Sequence, residues 1–270
     1  MGLQNHNFLY SCTYDKKRDN EQLVTEHALG IIISGESCLF TNNGTIVSKK
    51  GTIGLIRKNQ LARSIKYPAA DGSPFKAINI FLSQESLKKY VAQKNIAKQV
   101  QYTGDYFIDL TGNKFLQGYF GSLMPYFDAP EMLTSTLSNV KTTEAIELLL
   151  KIKPGLTNFL FDFSEPYKID IESFMNQNYR FNVSLDKFAK LTGRSLATFK
   201  RDFEKTFNDT PGRWLIQKRL EEALFLIQQK NKKPSEIYLD LGFEDLSHFS
   251  FAFKKQFGQT PTTLSKKTPH

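Results

Sequence analysis

Two stretches of the sequence place polar side chains at regular intervals along an apolar framework. Leucine and phenylalanine recur three or four residues apart over 196–207 and again over 246–257, which predicts two amphipathic helices. Arginine or lysine on the outward face of such a helix can donate hydrogen bonds to guanine O6 and N7 in a DNA major groove. The same pattern also fits a solvated basic surface, so it does not establish DNA binding by itself.

The outward-facing positions at the start and along the two predicted helices define the candidate DNA-contacting residues. In the first stretch they are Ser195, Ala197, Thr198, Lys200 and Arg201. In the second stretch they are Ser247, His248, Ser250, Phe251 and Lys254. Lys200 and Arg201 stand side by side and both can donate to base edges, so we expect them to supply most of the direct readout.

The two stretches belong to an internal repeat with an offset of 50 residues. Eight of the 21 residues from 191 to 211 recur at 241–261 without a gap. Such self-similarity indicates a duplicated supersecondary unit. The residues of the first copy that recur are Leu191, Leu196, Phe199, Phe203, Lys205, Phe207, Thr210 and Pro211.

Each copy carries the signals of a helix-turn-helix. An apolar stretch ends at a glycine, Gly193 or Gly242, shortly before the second helix of the copy begins, as this motif requires. We therefore expect two helix-turn-helix units, at about 183–207 and 234–257, with their leucine and phenylalanine stripes facing inward. A Thr-Pro pair predicts the start of a joining helix over about 211–229.

The excess positive charge of the chain lies in the part that holds the repeat. The 270 residues contain 36 Lys and Arg against 27 Asp and Glu. Residues 179–270 hold 17 basic and 10 acidic side chains, a balance of +7, whereas residues 1–178 hold 19 and 17, a balance of +2. A compact basic segment is typical of a protein that binds a polyanion. Charge and repeat together favour double-stranded DNA as the partner.

The first part of the chain has the pattern of a β-rich domain. Strand candidates lie at 30–40, 45–47, 51–57 and 77–82. The pair Asn43-Gly44 predicts a type I′ hairpin turn, and many short strands without intervening helices suggest a small antiparallel barrel or sandwich. We expect its lining to be apolar and to include Phe40, Ile56 and Phe81.

From about residue 83 the pattern becomes helical. Residues 142–151 contain more leucine than one helix face needs, and a Pro-Gly pair ends that helix. The surplus is explained either by packing inside its own domain or by a dimer seam, for which the candidates are Ile146, Leu149 and Leu150. A polar break at 164–166 predicts a boundary between domains 1–165 and 166–270.

Residues 170–265 resemble the DNA-binding domain of AraC/XylS-type bacterial transcription regulators, and the stretch 234–261 carries the resemblance most strongly. The first domain is similar, more loosely, to the cupin-like regulatory domains of that family over 30–36 and 51–59. The resemblance implies an α+β chain of two domains. In it, an N-terminal cupin-like β-barrel with a helical hairpin precedes an all-α double helix-turn-helix.

The resemblance also implies a mode of action. One monomer would insert two recognition helices into successive major grooves, about 34 Å apart. Ala197, Lys200 and Arg201 match base-reading positions of the family, while His248 and Ser250 match contact positions in the second unit. The family further implies a homodimer, contact with RNA polymerase during activation, and control by a small-molecule or protein effector. Repression is equally compatible with these residues.

The second unit departs from the family pattern in three places. Phe251 stands where the family has a polar or basic residue, Tyr238 replaces a small alanine, and Thr263-Leu264 replaces a Tyr-Arg pair. Phe251 could contact a thymine methyl group, pack against the preceding domain, or weaken readout. We expect this unit to discriminate less between sequences than the first.

A catalytic or cofactor site is not evident in the sequence. A metal-binding cupin needs clustered histidine and carboxylate ligands, but only His6 and His27 precede His248, and no His-x-His pair occurs. Cys12 and Cys38 are too far apart for a zinc or redox motif. We expect neither an enzyme nor a bound cofactor or metal. The alternative is a cupin-type enzyme fused to a DNA-binding tail.

The sequence also bears on where the protein acts. No apolar run approaches the ~20 residues needed to span a bilayer. The first residues lack the basic and apolar regions of a signal peptide. We expect a cytoplasmic, nucleoid-associated protein with no membrane partner.

Overall fold

A computed structural model of the chain describes residues 2–5, 7–97, 102–164 and 169–267, and the side chains among them from 7 to 265. The chain separates into two compact units, 1–164 and 165–270. Two residues of the predicted domain boundary, Glu165 and Pro166, lie outside the described residues, as does His6.

The first unit contains two sheets, and all the described strand pairs are antiparallel. In chain order the strands are β1 (Gly2–Asn5), β2 (Phe8–Thr13), β3 (Lys17–Arg18), β4 (Gln22–Val24), β5 (His27–Ser34), β6 (Glu36–Thr41), β7 (Gly44–Lys49), β8 (Ile53–Ile56), β9 (Gln60–Tyr67), β10 (Phe75–Leu82) and β11 (Phe107–Asp109). One sheet has the order β1-β2-β10-β5-β8-β11. The other has the order β3-β9-β6-β7, with β4 also paired to β9.

Helices cover one face of the six-stranded sheet. They are α1 (Gln84–Lys94), α2 (Lys114–Gly121), α3 (Met124–Asp128), α4 (Ser135–Ile152) and α5 (Leu156–Leu160), with a 3₁₀ turn at Pro130–Met132. Successive residues of a strand point to opposite faces, and most of the large aliphatic residues of this sheet point to the helices. Those buried there are Leu29, Ile53, Leu55, Ile78 and Ile80.

The opposite face of the same sheet carries several small residues among larger ones. Ser11, Ala28, Gly30, Gly54 and Ala77 alternate with the aliphatic residues along β2, β5, β8 and β10. They leave a cavity of about 680 Å³ that is lined by residues of both sheets. The sequence therefore builds a packed core on one side of the sheet and an open space on the other.

The predicted order, a β-rich domain before a helical one, is confirmed, but two local predictions are wrong. The stretch 30–40 is not one strand, because Gly35 at φ 79° divides β5 from β6. The predicted hairpin joins β6 to β7, with Thr41 paired to Gly44. Its turn is not type I′, since the positive φ among these described residues is at Gly44 and not at the two asparagines before it. The hydroxyl of Thr41 accepts the N–H of Asn43 at 3.1 Å and holds the turn.

The second unit is helical throughout its described residues. Its helices are α6 (Ile171–Asn178), α7 (Leu185–Leu191), α8 (Leu196–Phe207), α9 (Pro211–Lys230), α10 (Pro234–Ile237), α11 (Leu246–Phe257) and α12 (Pro261–Lys267). Helices α7 and α8 form the first helix-turn-helix unit, and α10 and α11 form the second. Helix α9 is the predicted joining helix and starts at the predicted proline. Helix α10 ends at Ile237, earlier than the predicted end near Gly242.

The predicted apolar stripes form the interior of this unit. Phe199 and Phe203 of α8 and their counterparts Phe249 and Phe253 of α11 are completely buried. Leu246 is an exception, because 39% of it is exposed at the first turn of α11. In the part of the chain that the structure describes, no helix is both long and apolar enough to cross a membrane.

Candidate nucleic-acid interface

Helices α8 and α11 begin and end in equivalent ways. The hydroxyl of Ser195 accepts the N–H of Thr198 at 3.2 Å, and the carboxylate of Asp245 accepts the N–H of His248 at 2.6 Å. Each of these residues satisfies a backbone donor that a helix start leaves unpaired. Asn208 and Gly258 end the two helices in the left-handed conformation, at φ 51° and 75°. The duplicated sequence therefore produces two helices of the same length.

The outward face of α8 holds the predicted residues of the first set. Ala197 and Lys200 are exposed, and 66% of the Arg201 side chain is exposed. Thr198 is half-buried, and its hydroxyl lies 3.0 Å from that of Ser195 within the cap. Lys200 and Arg201 are thus the long cationic side chains of this set that reach solvent from one helix face.

The outward face of α11 holds the predicted residues of the second set. Ser247, His248 and Lys254 are exposed, and Ser250 is half-buried. Phe251 is 70% exposed. The ring of His248 packs edge-on against buried Phe243, with 5.7 Å between the ring centroids. The two helices therefore share a framework and differ in what they present.

An ionic network stabilises the first helix-turn-helix unit. The carboxylate of Asp202 accepts from Arg194 Nε at 3.0 Å and lies 3.7 Å from Arg201 Nε. Arg194 also donates to the carbonyls of Thr192 at 2.8 Å and Ile169 at 2.9 Å. The contacts of Arg194 therefore hold the turn of the first helix-turn-helix unit, whereas the Arg201 side chain is mostly exposed.

A buried arginine that the sequence analysis missed joins the segment between α6 and α7 to the turn of the second helix-turn-helix unit. Arg219 lies on α9 and is 7% exposed. Its guanidinium donates to the carbonyls of Tyr179 at 2.7 Å, Phe181 at 3.0 Å and Gly242 at 2.9 Å. The available signal was its position, because Arg219 falls in the apolar stripe of α9, four residues after Leu215 and four before Ala223.

The cavity of the first unit has a mixed lining. Ile56 and Phe81 line it as predicted, but Phe40 does not. Phe40 points to the other face of its sheet, where the guanidinium of Arg63 lies 4.6 Å from its ring centroid. The prediction for Phe40 is wrong because β6 places Ser37 and Leu39 on the cavity side.

A polar cluster that the sequence analysis also missed lies in the wall of the cavity. The carboxylate of Asp19 lies 2.7 Å from Lys66 Nζ and accepts from Ser64 Oγ at 2.5 Å. Burial raises the pKa of Asp19, but the hydrogen bonds from Lys66 and Ser64 outweigh burial and hold this pKa below its usual value. The mixed lining of the cavity therefore includes a charged, hydrogen-bonded cluster at Asp19, Ser64 and Lys66.

The proposed dimer seam is corrected by the packing of α4. Ile146 and Leu149 are buried in the core of their own unit, and Leu150 packs against that core. Side chains buried inside one copy cannot form a contact between two copies. The alternative explanation of the leucine surplus, packing inside the domain, accounts for Ile146 and Leu149, whereas Leu150 is half-buried and its part in a dimer seam stays a prediction.

His27 is a structural residue of the N-terminal unit, residues 1–164. It is completely buried, its ring lies 4.9 Å from that of Phe159, and Nδ1 accepts the N–H of Lys58 at 3.3 Å. Burial, together with the positive charges of Lys58 and Arg57, lowers the pKa of His27 to about 3. Among the described residues, no three His, Cys, Asp or Glu side chains are grouped as metal ligands would be.

Two family models match separate parts of the chain. One, described as a helix-turn-helix domain, matches residues 188–267. The other, described as the ExsA N-terminal regulatory domain, matches residues 27–160. The chain belongs to the AraC family. The resemblance inferred from the repeat is thereby confirmed, and the first domain of this AraC-family chain is similar to an N-terminal regulatory domain.

Individual relatives match mainly the second unit of this AraC-family chain. The virulence regulon transcriptional activator VirF of Yersinia enterocolitica is 30% identical over 92 residues, which are 34% of each chain. The transcriptional regulator ExsA of Pseudomonas aeruginosa is 27% identical over 109 residues, 40% of this chain and 39% of its own. The matched part thus spans between a third and two fifths of these relatives. A crystal structure of an apo ToxT variant from Vibrio cholerae aligns with 98% of this chain and 99% of its own, at 12% identity and a TM-score of 0.46.

Proposed function

We propose that this protein is a sequence-specific regulator of transcription that binds promoter or operator DNA through α8 and α11. The observation that carries the proposal is the pair of helices α8 and α11, each of which has a side-chain N-cap and a left-handed C-cap. Their inward-facing leucine and phenylalanine residues are identical, and their outward faces are exposed. The net charge of +7 over residues 179–270 supplies the attraction to phosphate. Family membership and the relatives, which are transcription regulators, support the same conclusion and agree with the prediction that the chain is not an enzyme.

Lys200 and Arg201 are proposed to read bases, because both extend from the exposed face of α8 and arginine can bond guanine O6 and N7 at once. The N-termini of α8 and α11 present backbone N–H groups that favour phosphate. In the second unit, His248, Ser250 and Lys254 are proposed to contact DNA through hydrogen bonds. Phe251 is proposed to meet a thymine methyl group, since it has no hydrogen-bond donor to offer.

The N-terminal unit, residues 1–164, is proposed to control this DNA binding. Its cavity of about 680 Å³ lies in the range of small-molecule sites. Large residues on the helix-facing side of the same sheet show that the chain could have filled this space, so the small residues facing it support a ligand site. We therefore favour a small effector with an apolar body and a polar group that reaches Asp19 and Lys66, over a protein effector. Activation with RNA polymerase, and a homodimer, remain predictions from the family.

The test of DNA binding uses the full chain and a randomised duplex library in a selection experiment. A preferred sequence is expected, with an affinity that falls steeply as salt rises because phosphate contacts release counterions. Replacing Lys200 and Arg201 together by alanine should remove most of the preference in the half of the site that α8 contacts, whereas Lys114→Ala, which removes a charge from the exposed start of α2 in the N-terminal unit, should leave the preference unchanged. A nearly flat dependence of affinity on salt, or no selected sequence, would refute the proposal.

A further inference from the structure

Arg219 is positioned to control the geometry of DNA binding without touching DNA. Two of its acceptors, the carbonyls of Tyr179 and Phe181, lie in the segment that leads into the first helix-turn-helix unit. The third, the carbonyl of Gly242, lies in the turn of the second unit. One guanidinium on the joining helix therefore bonds the segment before α7 and the turn of the second helix-turn-helix unit at the same time.

The segment before α7 and the turn of the second helix-turn-helix unit also meet directly beside this arginine. Asn182 Nδ2 donates to Glu244 Oε1 at 3.0 Å, so the segment before α7 touches the turn before α11. Arg180 Nη2 lies 2.6 Å from Glu222 Oε1 of α9. These contacts and the three bonds of Arg219 form a polar joint between the two units, separate from the hydrophobic core of each.

Gly242 is the tightest point of this joint. At φ 82° it has a backbone conformation that favours glycine. A Cβ added there would lie 2.7 Å from the carbonyl oxygen of Arg180 and 2.8 Å from Cζ of Arg219. Glycine at this position thus lets the turn of the second unit approach both the guanidinium and the segment before α7.

We propose that Arg219 is a positioning residue that fixes the separation and tilt of α8 and α11, and so determines which spacing between the two DNA segments the protein accepts. This inference rests on the proposed function. Guanidinium suits the task because its planar fork presents five donors in fixed directions, whereas a lysine ammonium is a single point charge on a flexible stem. Arg219→Lys keeps the charge but cannot hold three separated carbonyls in the same way.

The spacing of the DNA target is a sensitive measure of this geometry. One helical turn of DNA is about 34–36 Å and 10–10.5 base pairs, so one base pair shifts a segment by about 3.4 Å and turns it by roughly 35°. A rigid joint must reject that change, whereas a loose joint can follow it. The hydrophobic cores of the two units should persist in either case.

The experiment measures affinities of the full chain for a set of operators. The set contains the sequence selected by the wild type and versions with one base pair added or removed between the two contacted segments. The wild type should lose about tenfold or more in affinity on each change of spacing, as for a mismatched site. Arg219→Lys should lose no more than about threefold, because a loose joint adapts at little cost. Arg213→Lys on the same helix is the matched control, since that side chain is 83% exposed, and it should behave as the wild type.

A second pair of variants tests the same joint from the side of the turn. Gly242→Ala should flatten the spacing preference, because its methyl group would displace the guanidinium. Gly258→Ala imposes similar backbone strain, at φ 75°, but has no atom within 4 Å of the added Cβ, so it should keep the preference. Thermal unfolding followed by the fluorescence of Trp214, the single tryptophan, shows whether each variant folds.

The outcomes separate this inference from the proposed function. A wild-type spacing ratio in folded Arg219→Lys refutes the inference and leaves DNA binding intact. If Arg219→Lys does not fold, equal ratios for Gly242→Ala and Gly258→Ala refute it. A wild type that selects a sequence but tolerates any spacing also refutes it. A wild type that selects no sequence refutes the proposed function, and the inference with it.

Discussion

The two recognition helices are expected to contribute unequally to sequence preference, and paired substitutions measure the difference. Arg201→Ala removes an exposed cation from α8, and Phe251→Ala removes an exposed ring from the corresponding position of α11. Lys205→Ala removes a charge from the exposed last turn of α8 and is the control. The three changes separate base reading, apolar contact and general attraction to DNA.

The structure limits how much each change can affect folding. Arg201 is 66% exposed and its ion pair with Asp202 spans 3.7 Å, and such surface pairs contribute about 0–1 kcal/mol. Phe251 is 70% exposed and lies outside the core. The free energy of unfolding should therefore change by no more than about 0.5 kcal/mol in either variant. Any larger effect on binding must arise in the complex with DNA.

The expected effects on binding differ in size and in kind. Loss of a bidentate contact to guanine costs roughly 1–3 kcal/mol, or about five- to 150-fold in affinity. Phe251→Ala forfeits contact with one methyl group, and burial of about 20–40 Å² at 25 cal/mol per Å² gives roughly 0.5–1 kcal/mol. Lys205→Ala should weaken all sequences alike and reduce the dependence on salt.

The assay is selection from a randomised operator followed by anisotropy titrations at two salt concentrations. Arg201→Ala should flatten the preference at one or two base pairs in one half of the site. Phe251→Ala should cause the smaller change, in the other half. If Phe251→Ala removes more preference than Arg201→Ala while both variants fold as the wild type, the assignment of α8 as the main reading helix is wrong.

Three further predictions follow from local features of the structure. Asp245→Ser keeps a capping residue at the start of α11 but removes a negative charge near the phosphates, so the affinity for DNA should rise about two- to fivefold at low salt and less at high salt. The unfolded state binds a proton at His27 below pH 6.5, whereas the folded state does not until about pH 3. The free energy of unfolding should therefore be highest above pH 6.5 and fall by roughly 1 kcal/mol from pH 7 to 5.5. His27→Gln should remove that loss in a series of urea titrations. Leu149→Ala should destabilise the first unit by about 2–5 kcal/mol, measured by circular dichroism, because it opens a cavity in a packed core; unchanged stability with altered sedimentation would instead restore the dimer seam.

The internal repeat allowed the helices of the C-terminal unit, residues 165–270, to be predicted in detail. Phe199, Phe203 and their counterparts recur because they fill equivalent cores, so their spacing determined both the helices and their inward faces. Thr210-Pro211 and the glycines marked the ends of elements through purely local chemistry. Leu246 was wrongly placed inside, because periodicity identifies a helix face but does not show where its first turn leaves the core.

Other features depended on neighbours that are distant in sequence. The acceptors of Arg219 lie 38 and 40 residues before it and 23 after it, and no local pattern specifies them. The leucines near 146–150 signal an apolar helix face, but only the packed sheet shows that the face is covered within one copy. The prediction for Phe40 failed for a related reason, since the break at Gly35 changes which side of the sheet the following residues face.

The divergence of the two copies follows a physical division of labour. Residues that fill the cores and start the next helix are identical between the copies, whereas the candidate contact positions differ: Ala197 and Ser247, Thr198 and His248, Lys200 and Ser250, Arg201 and Phe251, Glu204 and Lys254. A change in a core residue costs stability through cavities or strain, but a change on an exposed face costs little. The framework is therefore constrained while the faces are free to specialise. Two faces with different donors cannot prefer the same base pairs, so one monomer should recognise two unlike segments in a fixed order rather than a repeated one.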